Sequence, residues 1–463
     1  MTTKFENGLF IFRRDLRIID NNGLNLLNEY CKNIYTIFIF TPEQVGSGNK
    51  YKSDNSVQFM IESLHDLASK ISKSGGHLYT FYGHNERIIS QCIKAFNIDL
   101  VCFNLDITPY ARKRDESIIK LCEQFKTYIM YDYDYFLNQP GTILNGSKEP
   151  YQKFTPYYLT CLKTKVQEPA RLRKIHFAPS KSNIHLTDKI TLDDAMPKFT
   201  HINPTILLHG GRDNAIKQMR IAAKNIVHYN KTRNILEKPT SQLSAYIKFG
   251  CISIREMYKT FKSNKDFIRQ VYWREFYAGI LYSFPHVLGH ALKPKYDKIK
   301  WHHNERLFNA WKKGETGIPI LDAAQRQLLT VGWVHNRARL ISSSMLTKIF
   351  MIHWKKGEQF YAQHLVDYDV ANNNGGWQWS AGTGADSQEY WRTFNPFSQA
   401  KENDPDCIYI KTWIPELKDV DNDIILNWDT EWKNNKNIKY PKPIIDYTEQ
   451  KNLALKMYKD ALY

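Results

Sequence analysis

DYDVANNNGGWQWSAGTGADSQEYWRTFNP, residues 367–396, opens on two acids and carries three consecutive amides, a glycine pair, three tryptophans and an arginine, with almost no aliphatic residues. A core helix would show apolar residues at three- and four-residue spacing, and this stretch does not. Asp, Asn, Gly and Trp in such density mark either a surface loop or the lining of a polar cavity for a large planar ligand. The tryptophans favour the cavity, because rings that size are seldom left in water. The stretch therefore reads as the wall of a ligand pocket.

Outward from it, segments 214–227, 265–282, 318–332 and 338–354 carry helix-spaced apolar faces, so residues 206–463 are predicted all-α. Residues 133–205 lose periodicity and read as a connector, with turns at Pro140-Gly141 and Asn145-Gly146. In residues 1–132, apolar runs at 8–12, 35–40, 78–82, 99–104 and 127–132 alternate with amphipathic stretches at 56–71 and 111–125. That alternation predicts a Rossmann-like α/β domain with a parallel sheet. The dinucleotide glycine fingerprint is missing, and GSGNK (46–50) lacks the Gly-Lys-Ser/Thr of a phosphate loop, so it reads as a turn.

Composition narrows the class. The 463 residues are 42% hydrophobic and 24% charged, as in a soluble globular protein. The net charge of +17 calls for a polyanion such as nucleic acid, unless the lysines only solvate the surface. Seven scattered cysteines without a CxxC pair exclude a disulfide framework and a zinc site, and no metal is expected. Without an apolar signal core or a membrane-spanning apolar run, an intracellular, soluble and non-secreted protein is expected.

Three strings outside the opening stretch carry chemistry. PTSQLSAYIKFG (239–250) places Thr240, Ser241 and Ser244 at a helix start, where hydroxyls cap the helix and can also hold phosphate. VYWREFYAGI (271–280) sets Trp273 and Arg274 on a helix. WVHNRARL (333–340) packs His335, Asn336, Arg337 and Arg339 into a turn and a half. Its arginines either pair with acids such as Asp367 and Asp369 or grip phosphates and carboxylates. Trp301, Trp354 and Trp377 read, on composition alone, as core aromatics.

Together with FIFRRDLRIIDNNGL (10–24), these strings resemble the DNA photolyase/cryptochrome family over about residues 8–448, closest to the class I-like cyclobutane pyrimidine dimer photolyases. The resemblance implies an α/β antenna domain followed by an all-α FAD-binding domain. It also implies an enzyme that repairs UV-damaged DNA in light, passing an electron from photoexcited reduced FAD to a flipped dimer. By position, Tyr229, Thr240, Ser241, Gln242, Leu243 and Ser244 would hold the ribityl-phosphate region. Arg339 and Asp367 would pair beside the flavin ring, Asp369 would contact it and Asn373 would face its reactive nitrogen. Trp377, Trp354 and Trp301 match the family's electron-transfer chain. Trp273 and Trp379 would wall the lesion pocket, with Gln270 beside it and Asn336 on a base edge. Arg233, Arg274, Arg337 and Arg392 would line the phosphate rim.

Two positions depart from the cyclobutane pattern: Gln270 stands where Glu is usual, and Leu340 where Met is usual. Asn336 and Leu340 also stand where the (6-4) enzymes carry histidines. Cyclobutane repair is the first expectation, with a (6-4) photolyase or a cryptochrome-like receptor without repair as alternatives. The glutamate of folate-binding members would align near Pro109-Tyr110, and none sits there. The second, antenna chromophore is left as deazaflavin, flavin, folate or none. A monomer is expected.

Overall fold

The computed structural model describes residues 4–171, 173–181, 186–387 and 389–462. All five apolar runs form strands: β1 (Phe5–Phe12), β2 (Cys31–Phe40), β3 (Leu78–Tyr82), β4 (Leu100–Asn104) and β5 (Tyr128–Asp132). They pair in parallel in the order β3-β2-β1-β4-β5. Each face is apolar for its own reason. Phe10 and Phe12 join a core shared with the helical half, whereas Leu9 and Ile11 join a second core within the sheet's other layer. Strands buried on both faces read as unbroken apolar runs, as these did. The sheet order reverses at β1, so its C-terminal end is the place where such folds put their chemistry.

Past the sheet, the chain is helical. The stretch predicted as a connector carries two short helices, Phe154–Cys161 and Leu192–Phe199. Its Tyr135, Phe136, Phe154 and Tyr157 are buried in the shared core with Trp273 and Phe276 packed on them.

Five helices matter for the site: α1 (Ser244–Lys248), α2 (Lys265–Ser283), α3 (Asn336–Lys348), α4 (Trp354–His364) and α5 (Val370–Ala381). The apolar face at 338–354 predicted one helix, and the structure breaks it in two. Met351 takes a left-handed φ of 56°, and the His353 ring then accepts from the Lys355 amide at 3.2 Å to start α4.

Part of the opening stretch, Val370–Ala381, also folds as a helix, α5, despite its missing apolar period. Three of its six buried positions, Asn374, Gln378 and Ser380, are polar, with partners supplied: Asn374 Nδ2 and Gln378 Nε2 both donate to Val287 O, at 2.9 and 3.0 Å. A buried polar group that keeps its hydrogen bonds substitutes for an apolar one at tolerable cost.

The two halves meet where the loop after β1 docks on the end of α1. The Leu16 amide donates to Phe249 O at 3.0 Å, and Phe59 stacks on Phe249 with centroids 5.2 Å apart. Below lies a buried ionic knot in which Arg17 and Arg255 share Asp134, the latter at 2.7 Å, and Arg255 also holds Asp20 at 3.1 Å.

Candidate flavin and nucleic-acid site

Three helices turn one stripe each toward a common cavity of about 800 Å³. From α2 come Asp266, Gln270, Trp273, Arg274 and Tyr277; from α3, Asn336, Arg339, Leu340 and Ser343; from α5, Asn372, Asn373, Gly376 and Trp377. The three- and four-residue spacings are those of a helix face, here mostly polar and aromatic. Ser244 and Lys248 of α1 and Tyr361 of α4 close the wall. The volume lies in the range of sites for cofactor-sized ligands.

The floor is fixed by ion pairs. Asp367 accepts from Arg339 Nη2 at 2.9 Å and from the Ser244 hydroxyl at 2.6 Å, and Arg339 Nε is held by Val334 O at 2.8 Å. Asp369 caps α5, its Oδ1 accepting from the Asn372 amide at 3.0 Å, and its Oδ2 accepts from Arg14 at 2.7 Å. Burial alone would raise the pKa of Asp369, but Arg14 first, then Arg274 and Lys248, pull it far below the usual carboxylate range. Burial lowers Lys248 to about 8. Asn373 Nδ2 donates to Glu358 O at 2.9 Å, which sets how its amide stands at the cavity wall.

The cavity suits FAD on three counts. Hydroxyl, amide and guanidinium groups converge on it, Arg274 Nη2 is buried with no hydrogen-bond partner among the described residues, and a Cβ on Gly376 would meet only open space. Such a wall offers charge and donors to a polar ligand and leaves its volume to a flat one.

Of the residues singled out from sequence, Tyr229, Arg233, Ser241, Ser244, Gln270, Trp273, Arg274, Asn336, Arg339, Asp367, Asp369, Asn373, Trp377 and Trp379 line this cavity. Thr240, Gln242 and Leu243 stand outside the lining; Leu243 is buried in the core, and Gln242 turns the chain with a φ of 53°. Arg274, expected on the phosphate rim, turns inward: Nη1 donates to Tyr135 O at 2.9 Å and pairs with Glu275 at 3.2 Å. Arg337 lies beside the cavity, its guanidinium 5.6 Å from the Phe394 ring, and Arg392 is exposed outside it. One face of Trp273 is already covered by Phe154, the rings 3.8 Å apart and 7° from parallel.

Of Trp377, Trp354 and Trp301, only the first lines the cavity. Trp377 packs on α4, where a Cβ on Gly357 would approach its ring to 2.3 Å. Trp354, buried, begins the same helix. His353 bridges onward, 5.5 Å from Trp354 and 5.3 Å from the half-buried Trp301.

Sequence reasoning missed Lys248, Arg269, Asn372, Ser343 and Tyr361 in the lining, and Arg14 behind it. Ser343 and Asn372 could have been found by stepping one helical turn from the residues already chosen. Nothing in the sequence marks Arg14 as reaching α5, 355 positions away.

The model for the FAD binding domain of DNA photolyase matches residues 267–460, and that for DNA photolyase matches residues 9–173. The deoxyribodipyrimidine photo-lyase of Buchnera aphidicola subsp. Baizongia pistaciae is 34% identical, covering 98% of this chain and 98% of that protein. The archaeal photolyase of Sulfolobus tokodaii, whose crystal structure holds two FAD molecules, superposes with a TM-score of 0.88 at 37% identity, covering 98% of this chain and all of that one. A bacterial class III photolyase from Agrobacterium tumefaciens gives 0.90 at 27% identity, covering all of this chain and 98% of that one. The chain belongs to the DNA photolyase family.

Proposed function

We propose that this protein is a light-dependent deoxyribodipyrimidine photo-lyase that holds FAD in the cavity and splits cyclobutane pyrimidine dimers in UV-damaged DNA. The observation that carries the reading is one cavity lined both by the Arg339–Asp367–Ser244 floor and by the aromatic pair Trp273 and Trp379. When bound and reduced, FAD supplies the light-driven electron that opens the dimer and takes it back afterwards.

The chain's own residues do the rest. Tyr229, Ser241, Ser244, Arg339, Asp367, Asp369 and Asn373 would hold the cofactor, with Thr240, Gln242 and Leu243 shaping the loop beneath it. Asn373 presents an amide, a group able to donate or accept as its partner changes charge. Trp273 and Trp379 would take the flipped bases; stacking contributes about 1–3 kcal/mol per base and offsets the few kcal/mol of unstacking. Asn336 at the mouth would bond a base edge. Arg233, Arg337 and Arg392 would hold phosphates by charge, which the +17 balance favours. Trp301, Trp354 and Trp377 would carry electrons inward to the cavity wall.

Residues 1–132 form the antenna unit of this proposal, joined through 133–205 to the repair unit at 206–463. The two FAD molecules of the Sulfolobus tokodaii protein support a flavin as the second chromophore over deazaflavin or folate. Among the described residues no helix is long and apolar enough to cross a membrane, and the protein is proposed to work inside the cell as a monomer.

A second reading has one residue behind it. Gln270 lines the cavity where the cyclobutane pattern has Glu, which favours (6-4) photoproducts, while Asn336 and Leu340 oppose them. Flavin-loaded protein mixed in darkness with oligonucleotides bearing a cyclobutane dimer, a (6-4) photoproduct or no lesion separates these. The dimer strand is expected to bind tightest. Equal affinity for all three contradicts the proposal, and preference for the (6-4) strand moves it to the second reading.

A further inference from the structure

The loop leaving β1 takes the end of α1 one carbonyl at a time. Arg14 Nε donates to Lys248 O at 3.3 Å, the Leu16 amide to Phe249 O at 3.0 Å and Arg17 Nη1 to Gly250 O at 3.1 Å. The last carbonyls of a helix have no donor of their own, so the α/β half supplies them here. The approach is close: Gly250 has a φ of 65°, and a Cβ there would lie 2.2 Å from Arg14 O.

Arg14 then reaches further than its neighbours. Its Nη1 lies 3.1 and 3.3 Å from the two oxygens of Asp106, just past β4, and its Nη2 lies 2.7 Å from Asp369 Oδ2. The other oxygen of Asp369 accepts from the Asn372 amide at 3.0 Å and from Asn372 Nδ2 at 2.8 Å. One planar guanidinium, only 17% exposed, thus joins β4's exit, the end of α1 and the cap of α5. Lys248, Asp369, Asn372 and Asn373 line the cavity, whereas Arg14 stands behind them.

We infer that Arg14, from the α/β half, is a positioning residue of the flavin site, holding the end of α1 and the N-cap of α5 at fixed separation and so placing Asn373. The inference rests on the reading of this cavity as the FAD site. Lysine cannot replace it, because an ammonium is a point charge on a flexible stem and cannot span acceptors in three fixed directions. Removing one partner of a buried ion pair also leaves the other charge unpaired, here Asp369 at the cavity wall.

The test compares Arg14→Ala, Arg14→Lys and Asp106→Asn with wild type in the flavin-loaded full chain and after FAD is stripped. Loss of a charged hydrogen bond at the wall is expected to speed FAD release from Arg14→Ala by at least about tenfold. The visible circular dichroism of the bound flavin should change, and the amides of residues 370–376 should exchange faster with or without FAD. The amides of β1 should keep wild-type exchange, which a general loss of stability would not allow. Arg14→Lys should stay nearer to Arg14→Ala than to wild type. Asp106→Asn loosens Arg14 without touching a cavity residue; it should shift both readouts the same way by less, and it decides the matter if Arg14→Ala does not fold. Wild-type release and exchange in Arg14→Ala or Asp106→Asn, or full recovery by Arg14→Lys, overturns the inference. Wild-type protein that binds no FAD would instead sink the flavin-site reading.

Discussion

At Trp273 one face is stacked on Phe154 and the residue still lines the cavity, so its ring is held in place before any base arrives. A ring fixed beforehand loses little entropy on binding. Trp273→Ala is expected to weaken binding to a dimer-bearing strand by about 1–3 kcal/mol, read by titration in the dark, with undamaged DNA little affected. Gly250 carries a different burden. With φ at 65° and the Arg14 carbonyl against it, Gly250→Ala should destabilise the protein by about 2 kcal/mol or more, seen as a lower melting temperature. A variant melting with wild type would show that the two halves do not meet as described.

Among the elements, α4 and α5 were the hardest to read. Hydrophobic period finds a helix where burial is apolar, and α5 buries Asn374, Gln378 and Ser380 alongside Ala371, Trp377 and Ala381. Its cavity role was legible from composition, its helical form was not. The break between α3 and α4 was invisible for the opposite reason: Ile349, Phe350 and Ile352 continue the apolar face through a bend.

Glu358 on α4 gives a pH test. It is 5% exposed, accepts from Asn374 Nδ2 at 3.0 Å, and burial raises it from 4.5 to about 7. Between those values the folded protein keeps a proton that the unfolded chain has lost. Stability from this group is therefore full below about pH 4.5 and falls as pH rises through 7. Glu358→Gln should gain on wild type across that window by up to about 3 kcal/mol in denaturant unfolding. A constant difference between the two would contradict the assignment. Trp354 begins the same helix beside His353 and Trp301. Trp354→Phe should block photoreduction of oxidised flavin while largely sparing repair by pre-reduced protein, and normal photoreduction would remove the tryptophan path.

On the scale of the whole molecule, the parallel sheet was legible because strands buried on both faces write unbroken apolar runs. The way the halves join was not. Arg14, Arg17 and Gly250 act through partners hundreds of positions away, and contact across that distance leaves no local pattern. The net charge of +17 predicts DNA binding that weakens steeply with salt. Replacing the exposed Arg233 or Arg392 by Ala should lower the log–log salt slope by about 1 each without altering lesion preference. The central claim is that light absorbed in this cavity splits a dimer. Purified protein with reduced FAD, mixed with an oligonucleotide carrying one cyclobutane thymine dimer, is split between blue light and darkness, and restored thymines are counted. Restoration in light alone, repeated over many turnovers without added reductant, is the result expected; equal counts in light and dark would contradict it.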